Sequence, residues 1–285
     1  MRRLRTPWLL AITLCLLGTV AALTSGIGQR EASGPCQLAS KKPLARIKEA
    51  SGLTLSRRTS GVLWTHNDSG QPMLYAVDTS GAPRGRVRVS NATVVDWEDV
   101  TAARCPSGDC LYIADIGDND RSRSAITVYR IPEPQPADAQ SAAPEVFSVT
   151  YPDGAHDAEA LFVVDENLFV ITKDDAGILY RISQSHPGTV KAERIGELGI
   201  PRVTDADVSA DGKLVVVRTN NEVAFYPTAA LVAGKSTKPD LRFSVRQAKE
   251  PQGEGVAFDG NRTLYLTSEG SGGGQLSALT CALPG

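Results

Sequence analysis

The chain has 285 residues, with 30 Lys and Arg against 32 Asp and Glu and a formal net charge of −2. There is no basic excess and no basic–aromatic stripe, so nucleic acid is excluded as a partner class. No long stretch repeats its apolar residues with the 3.6-residue helical period, so the bulk of the chain reads as strands in one domain.

The first 28 residues stand apart. Arg2, Arg3 and Arg5 precede an apolar run over 8–23, and small and polar residues follow. This is the layout of a secretory signal, either cleaved or kept as an N-terminal membrane anchor. The expected location is therefore secreted or extracytoplasmic, with the working domain over 36–285. Cys15 belongs to the leader. The other four cysteines fit disulfides in an oxidising compartment. Cys105 and Cys110 flank a turn between two strands, which favours a local bridge and leaves Cys36 with Cys281.

A short opening returns five times: Ser51-Gly52-Leu53, Glu98-Asp99-Val100, Glu159-Ala160-Leu161, Ala206-Asp207-Val208 and Glu254-Gly255-Val256. The spacings of 47, 61, 47 and 48 residues are those of propeller blades. Each opening leads to a second strand, seen at Leu63-Trp64-Thr65, Leu111-Tyr112-Ile113, Leu168-Phe169-Val170, Leu214-Val215-Val216 and Leu264-Tyr265-Leu266. Third strands carry Leu74-Tyr75, Val128-Tyr129, Leu179-Tyr180 and Phe225-Tyr226. Outer strands fall at 86–89, 146–149, 191–195 and 241–245. The last repeat lacks its own outer strand, so residues 42–48 are expected to supply it and close the ring. The 61-residue repeat holds a polar, Pro-rich surface loop over 132–144. The fold expected is all-β, a single propeller of five four-stranded blades, with six as the alternative.

In such a ring the start of each innermost strand and the end of each second strand share one face. The acids at those places converge there and either raise one another's pKa or recruit a cation. Oxygen ligands on a rigid scaffold suit Ca²⁺. The metal set expected is Glu98, Glu159, Glu254, Asp115 and Glu269. His66 and Asp115 are the candidates for acid–base work, and Asn67, Asp68, Asn119, Lys173 and Arg218 for substrate binding. A second role is open to the same acids, since carboxylates that open a blade can accept backbone hydrogen bonds from the next one. Trp64 and Trp97 are expected to pack between blades.

The runs Leu63-Trp-Thr-His-Asn-Asp-Ser-Gly70, Asp96-Trp-Glu-Asp99, Ala114-Asp-Ile-Gly-Asp-Asn119 and Asp157-Ala-Glu-Ala-Leu161 resemble a family of exported bacterial propeller proteins of unassigned function. The Glu-Gly-Val openings are more distantly similar to esterase-like phytases and gluconolactonase-type calcium propellers. That likeness implies Ca²⁺ on the channel axis and hydrolysis of phosphoesters, esters or lactones. Two departures stand against it: those propellers are usually six-bladed, and Ala206 occupies a position where an acid is expected. The alternative is a monomeric, non-catalytic envelope propeller that binds a small molecule, a glycan or an envelope protein.

Overall fold

The computed structural model describes residues 35–183, 186–235, 237–259 and 262–283. The expected leader lies outside the described residues. Five antiparallel blades follow one another along the chain. From the innermost strand outward, blade 1 is Ala50–Leu55, Val62–Asn67, Met73–Asp78 and Pro83–Arg88. Blade 2 is Trp97–Cys105, Gly108–Asp115, Ile126–Pro132 and Glu145–Thr150. Blade 3 is Ala158–Val164, Asn167–Thr172, Ile178–Ser183 and Glu193–Glu197. Blade 4 is Val203–Val208, Leu214–Thr219, Glu222–Pro227 and Leu241–Ser244. Blade 5 is Gln252–Phe258, Thr263–Glu269 and Gly274–Cys281, completed on the outside by Cys36–Leu44.

The core is five layers, one between each pair of neighbouring blades. This explains the near-continuous apolar second strands. A strand side chain points alternately to the two sheet faces, and in a blade both faces are covered. Leu168 and Val170 pack towards blade 2, while Phe169 and Ile171 pack towards blade 4. Trp64 and Trp97 lie in the layer between blades 1 and 2.

The ring closes as expected in topology but not in register. The closing strand is Cys36–Leu44, so only residues 42–44 of the expected 42–48 belong to it. Leu44 and Ile47 are buried and gave the apolar signal. Ile47 lies past the strand, where its carbonyl accepts from Gly274 N at 2.7 Å. Disulfides Cys36–Cys281 and Cys105–Cys110 are both formed. The first joins paired residues at the closing seam.

Two segments reach backward along the ring. In the Pro-rich insert, Ala139–Gln140 adds in parallel to Val87 and Arg88 of blade 1. After the third strand of blade 3, Gly188–Lys191 adds in parallel to Phe147–Thr150 of blade 2. The insert is thus anchored, and Glu133 at its start is almost fully buried. Its carboxylate accepts from Trp64 Nε1 at 3.0 Å, Ser56 Oγ at 2.5 Å and Arg57 N at 3.1 Å.

Candidate functional site: the acidic cup

Each innermost strand slips register against its neighbour near its start. The slips fall between Trp97 and Asp99, Ala158 and Ala160, and Val203 and Asp205. The residues passed over are Glu98, Glu159 and Thr204. Blades 1 and 5 slip across Ser51-Gly52 and Glu254-Gly255. The fourth repeat therefore opens at Thr204-Asp205-Ala206, two residues before the position read from sequence. Matching hydrogen bonds agree: Ser51 Oγ donates to Glu98 O at 2.7 Å, and Thr204 Oγ1 to Glu254 O at 2.8 Å.

Two rings of side chains follow from this register. The upper ring is Ser51, Glu98, Glu159, Thr204 and Glu254. The next is Gly52, Asp99, Ala160, Asp205 and Gly255. In the lower ring the three small residues leave room for two aspartates to meet across the axis. Asp99 and Asp205 are fully buried and hydrogen-bond to each other. Asp99 Oδ2 accepts from Leu161 N at 2.6 Å, and Asp205 Oδ2 from Val256 N at 2.6 Å and Leu53 N at 3.3 Å. A Cβ on Gly52 would lie 2.5 Å from Asp99 Cα. Burial lifts Asp99 to about 8 and Asp205 well above the usual carboxylate range, so the pair holds a proton at neutral pH. These aspartates tie blades together and close the channel beneath the cup.

Above them, Glu98, Glu159 and Glu254 are all nearly buried and act on one another. Lys173, at the end of the second strand of blade 3, places its ammonium on Glu159 Oε1 and within electrostatic reach of Glu98 and Glu254. Glu159 Oε2 is buried and has no hydrogen-bond partner. Desolvation, reinforced by the neighbouring acids, lifts Glu159 to about 8 and Glu98 well above its ordinary value. Glu254 is also raised by burial, and its Oε1 accepts from Gln252 Nε2 at 2.7 Å. Asp96 hydrogen-bonds Glu98, and burial raises it too. On the rim, burial lifts Asp68 and Glu269 each to about 7, reinforced for Asp68 by Glu269 and Glu49 and for Glu269 by Glu254 and Glu49.

The other predicted residues are placed differently. Asp115 accepts from Val95 N and Asp96 N, both at 3.1 Å, and pairs with Arg123 at 2.9 Å. His66 is wholly buried, edge-on to Trp97, with Nδ1 3.0 Å from Asn67 O. Burial lowers it to about 4, so it is a neutral imidazole. Arg218 is fully buried, engaged with the carbonyls of Gly255 and Thr267 and with Glu250. Asn67 accepts from Glu49 N at 3.1 Å, and Asn119 lies 3.4 Å from Asp96 Oδ2. Glu49, Gln252 and Glu250 were missed because they lie outside the repeat's opening and carry no motif.

Among the described residues no group of three or more His, Cys, Asp or Glu side chains is arranged to hold a metal ion. The chain's own ammonium lies where a cation was expected.

The other face of the ring carries two adjoining cavities of about 710 and 630 Å³, which share Asp207, Arg57 and Arg104 in their walls. Arg57 and Arg104 are both paired with Asp109, and Asp207 accepts from Val208 N and Phe258 N. These three charged groups already have partners.

No family model and no curated protein matches the sequence. Solved structures share the fold at low identity. The PQQ-bound aldose sugar dehydrogenase of Streptomyces coelicolor aligns with TM-score 0.52 at 11% identity, covering 87% of this chain and 98% of that one. A Myxococcus xanthus glutaminyl cyclase aligns with TM-score 0.51 at 12% identity, covering 87% and 97%. A glucose dehydrogenase aligns with TM-score 0.50 at 11% identity, covering 86% and 100%. At such identity the likeness is one of fold, and the chain is a five-bladed β-propeller. The two disulfides fit an oxidising, extracytoplasmic setting. No helix of the described residues is long and apolar enough to cross a membrane.

Proposed function

We propose that this protein is an extracytoplasmic binding propeller whose acidic cup receives a cationic group, an amine or guanidinium, presented by an envelope glycan, peptide or small molecule. One observation carries the reading: Glu159 Oε2 is buried without a partner in a ring of acids that has a single ammonium to share. Lys173 supplies the template, since its ammonium is the kind of group the ring holds. A second cation would find Glu98, Glu254 and the free oxygen of Glu159.

The test is calorimetric titration of the folded protein with spermidine and with tri-lysine. Both should bind, and Glu159→Gln should weaken binding about tenfold or more, as loss of a charged partner does. Glu193→Gln, on the outer strand of blade 3, should bind as the parent. Binding of neither probe removes the reading. Ca²⁺ that raises the Tm of the parent but not of Glu159→Gln would favour the metal site expected from sequence instead.

A second reading is favoured by the Asp96–Glu98 hydrogen bond. Two adjacent carboxyls sharing a proton, beside a glutamate that titrates near 8, can protonate a leaving oxygen and activate a water. Metal-independent turnover of an ester, phosphoester or lactone, lost in Glu98→Gln, would establish hydrolysis.

A further inference from the structure

At the outer side of the ring, a cavity of about 600 Å³ lies between the turn that follows Cys36–Leu44 and the third and fourth strands of blade 1. Its walls carry three arginines, Arg46, Arg84 and Arg86, against one acid, Asp138. The chain as a whole has a net charge of −2, so this is a local reversal of sign. The register explains how the arginines meet. Tyr75 pairs with Arg86 and Val77 with Pro83, and the outer strand bulges across Arg84. A bulge sets two successive residues against one and re-aims a side chain. Arg84 thereby joins Arg86, and both line the cavity with Tyr75 and Val77. The insert is pressed against this strand: a Cβ on Gly85 would lie 2.5 Å from Ala137 Cα.

The protein meets these guanidinium groups only weakly. Arg84 Nη1 is 3.9 Å from Asp78 Oδ2 and Arg86 Nε is 4.0 Å from Asp138 Oδ2, both too long for hydrogen bonds. Asp78 Oδ1 already accepts from Ser80 N, Ser80 Oγ and Ala82 N, and Asp138 Oδ1 from Arg86 N. Arg46 is exposed and has no hydrogen bond or ion pair among the described residues. Its φ is 75°, in a turn closed by Ile47 N donating to Leu44 O at 3.3 Å. Glycine adopts that conformation freely, whereas arginine is strained in it. Strain that no packing explains points to function. A Cβ on Gly81, another wall residue, would lie 3.1 Å from Lys42 Cβ, so a fourth cation stands at the rim.

We propose that this groove binds an acidic saccharide, one whose sugar carries a carboxylate or phosphate group. The walls select that chemistry. A guanidinium meets a carboxylate or a phosphate with two parallel hydrogen bonds. Tyr75, Ile47, Val77 and Pro83 add an apolar side that suits the C–H face of a sugar ring. The volume falls in the range of about 300–1,000 Å³ usual for small-molecule sites. A flat membrane surface cannot enter a recess walled by two segments, and a bare inorganic ion would leave the apolar wall uncovered. The site stands apart from the cup, since it takes the opposite charge and shares no residue with it.

The experiment is calorimetric titration of the folded protein at low salt with tri-galacturonic acid and with glucose 6-phosphate. Maltotriose, inorganic phosphate and vesicles of anionic lipid are run beside them. At least one acidic saccharide should bind, and more tightly than maltotriose or inorganic phosphate. Arg46→Gly, which relieves the strained φ, and Arg86→Gln should each weaken that binding about tenfold, as loss of hydrogen bonds to a charged group does. Arg181→Gln, on the third strand of blade 3, should bind as the parent. The proposal is overturned if neither acidic saccharide binds, if maltotriose or inorganic phosphate binds as tightly, or if both groove variants bind as the parent. Binding of the vesicles alone, lost in Arg46→Gly, assigns the groove to lipid headgroups and overturns it equally. Should Arg86→Gln fail to fold, Arg46→Gly decides.

Discussion

Asp99 of blade 2 and Asp205 of blade 4 face each other across the propeller axis and share a hydrogen bond out of reach of solvent. Both are held above their ordinary carboxylate range, so the folded state keeps protons that the unfolded chain releases. The stability this pair contributes is fully present below the unfolded carboxylate range, about pH 4, and is lost as pH rises towards about 8, where Asp99 ionises. One retained proton contributes a slope of about 1.4 kcal/mol per pH unit across that window. In Asp99→Asn the amide can accept from Leu161 N and donate to Asp205. Urea midpoints measured from pH 5 to 8 should therefore fall less steeply for the variant. Parallel pH profiles would show that the pair carries no extra proton.

Gly52→Ala should be among the most damaging single-methyl changes in the chain. The new Cβ would lie 2.5 Å from Asp99 Cα and 2.6 Å from Val100 N, both main-chain atoms with no rotamer to escape into. Overpacking of this kind costs about 1–3 kcal/mol, and more where backbone must move. Gly61→Ala is a poor control because its φ of 74° is strained for alanine. Ala210→Ser, at an exposed turn, serves better. Equal urea stability of Gly52→Ala and the parent would mean that the strands around the axis are loosely packed.

Glu133 is predicted to anchor the insert. Glu133→Ala removes the acceptor for Trp64 Nε1, Ser56 Oγ and Arg57 N at once and leaves buried donors unpaired. A loss of about 2–3 kcal/mol is expected. The same change should expose the segment after it to limited proteolysis, while the propeller core resists. An insert that remains uncut would place its anchor in the Ala139–Gln140 pairing instead.

The two disulfides should differ in weight. Cys36–Cys281 spans 245 residues and Cys105–Cys110 only 5. On the loop-entropy account the long bridge contributes about 5 kcal/mol as an upper figure and the short one about 2. Denaturation of the Cys36→Ser/Cys281→Ser and Cys105→Ser/Cys110→Ser proteins measures both. Equal losses would mean that pairing of Cys36–Leu44 with the last strand already holds the seam without the bond.

The fold was legible because each second strand is buried on both faces and so reads as an apolar run at blade spacing. The closing strand was not. Only its ends, Cys36 and Leu44, are buried, and the lysines between them hide any alternation. The opening of blade 4 was misread because Thr204 fills the place where three other blades carry glutamate. The cup's acids were visible in the sequence, but their targets were not. Asp115 and Arg218 look alike in sequence to residues that meet a ligand, yet their partners come from other segments that no spacing reveals. Glu133 gave no signal at all inside a proline-rich stretch.

The backward reach of Ala139–Gln140 onto blade 1 and of Gly188–Lys191 onto blade 2 bears on how the chain acquires its shape. The edges of blades 1 and 2 are finished by residues made only after the next blade has begun, and the strand Cys36–Leu44, made first, waits for the last blade. Pairings this distant in sequence form slowly. A nascent chain therefore carries open edges until its final strand emerges. Maturation would be all-or-none and late, and truncations from the C-terminus should yield aggregation-prone fragments rather than smaller stable rings.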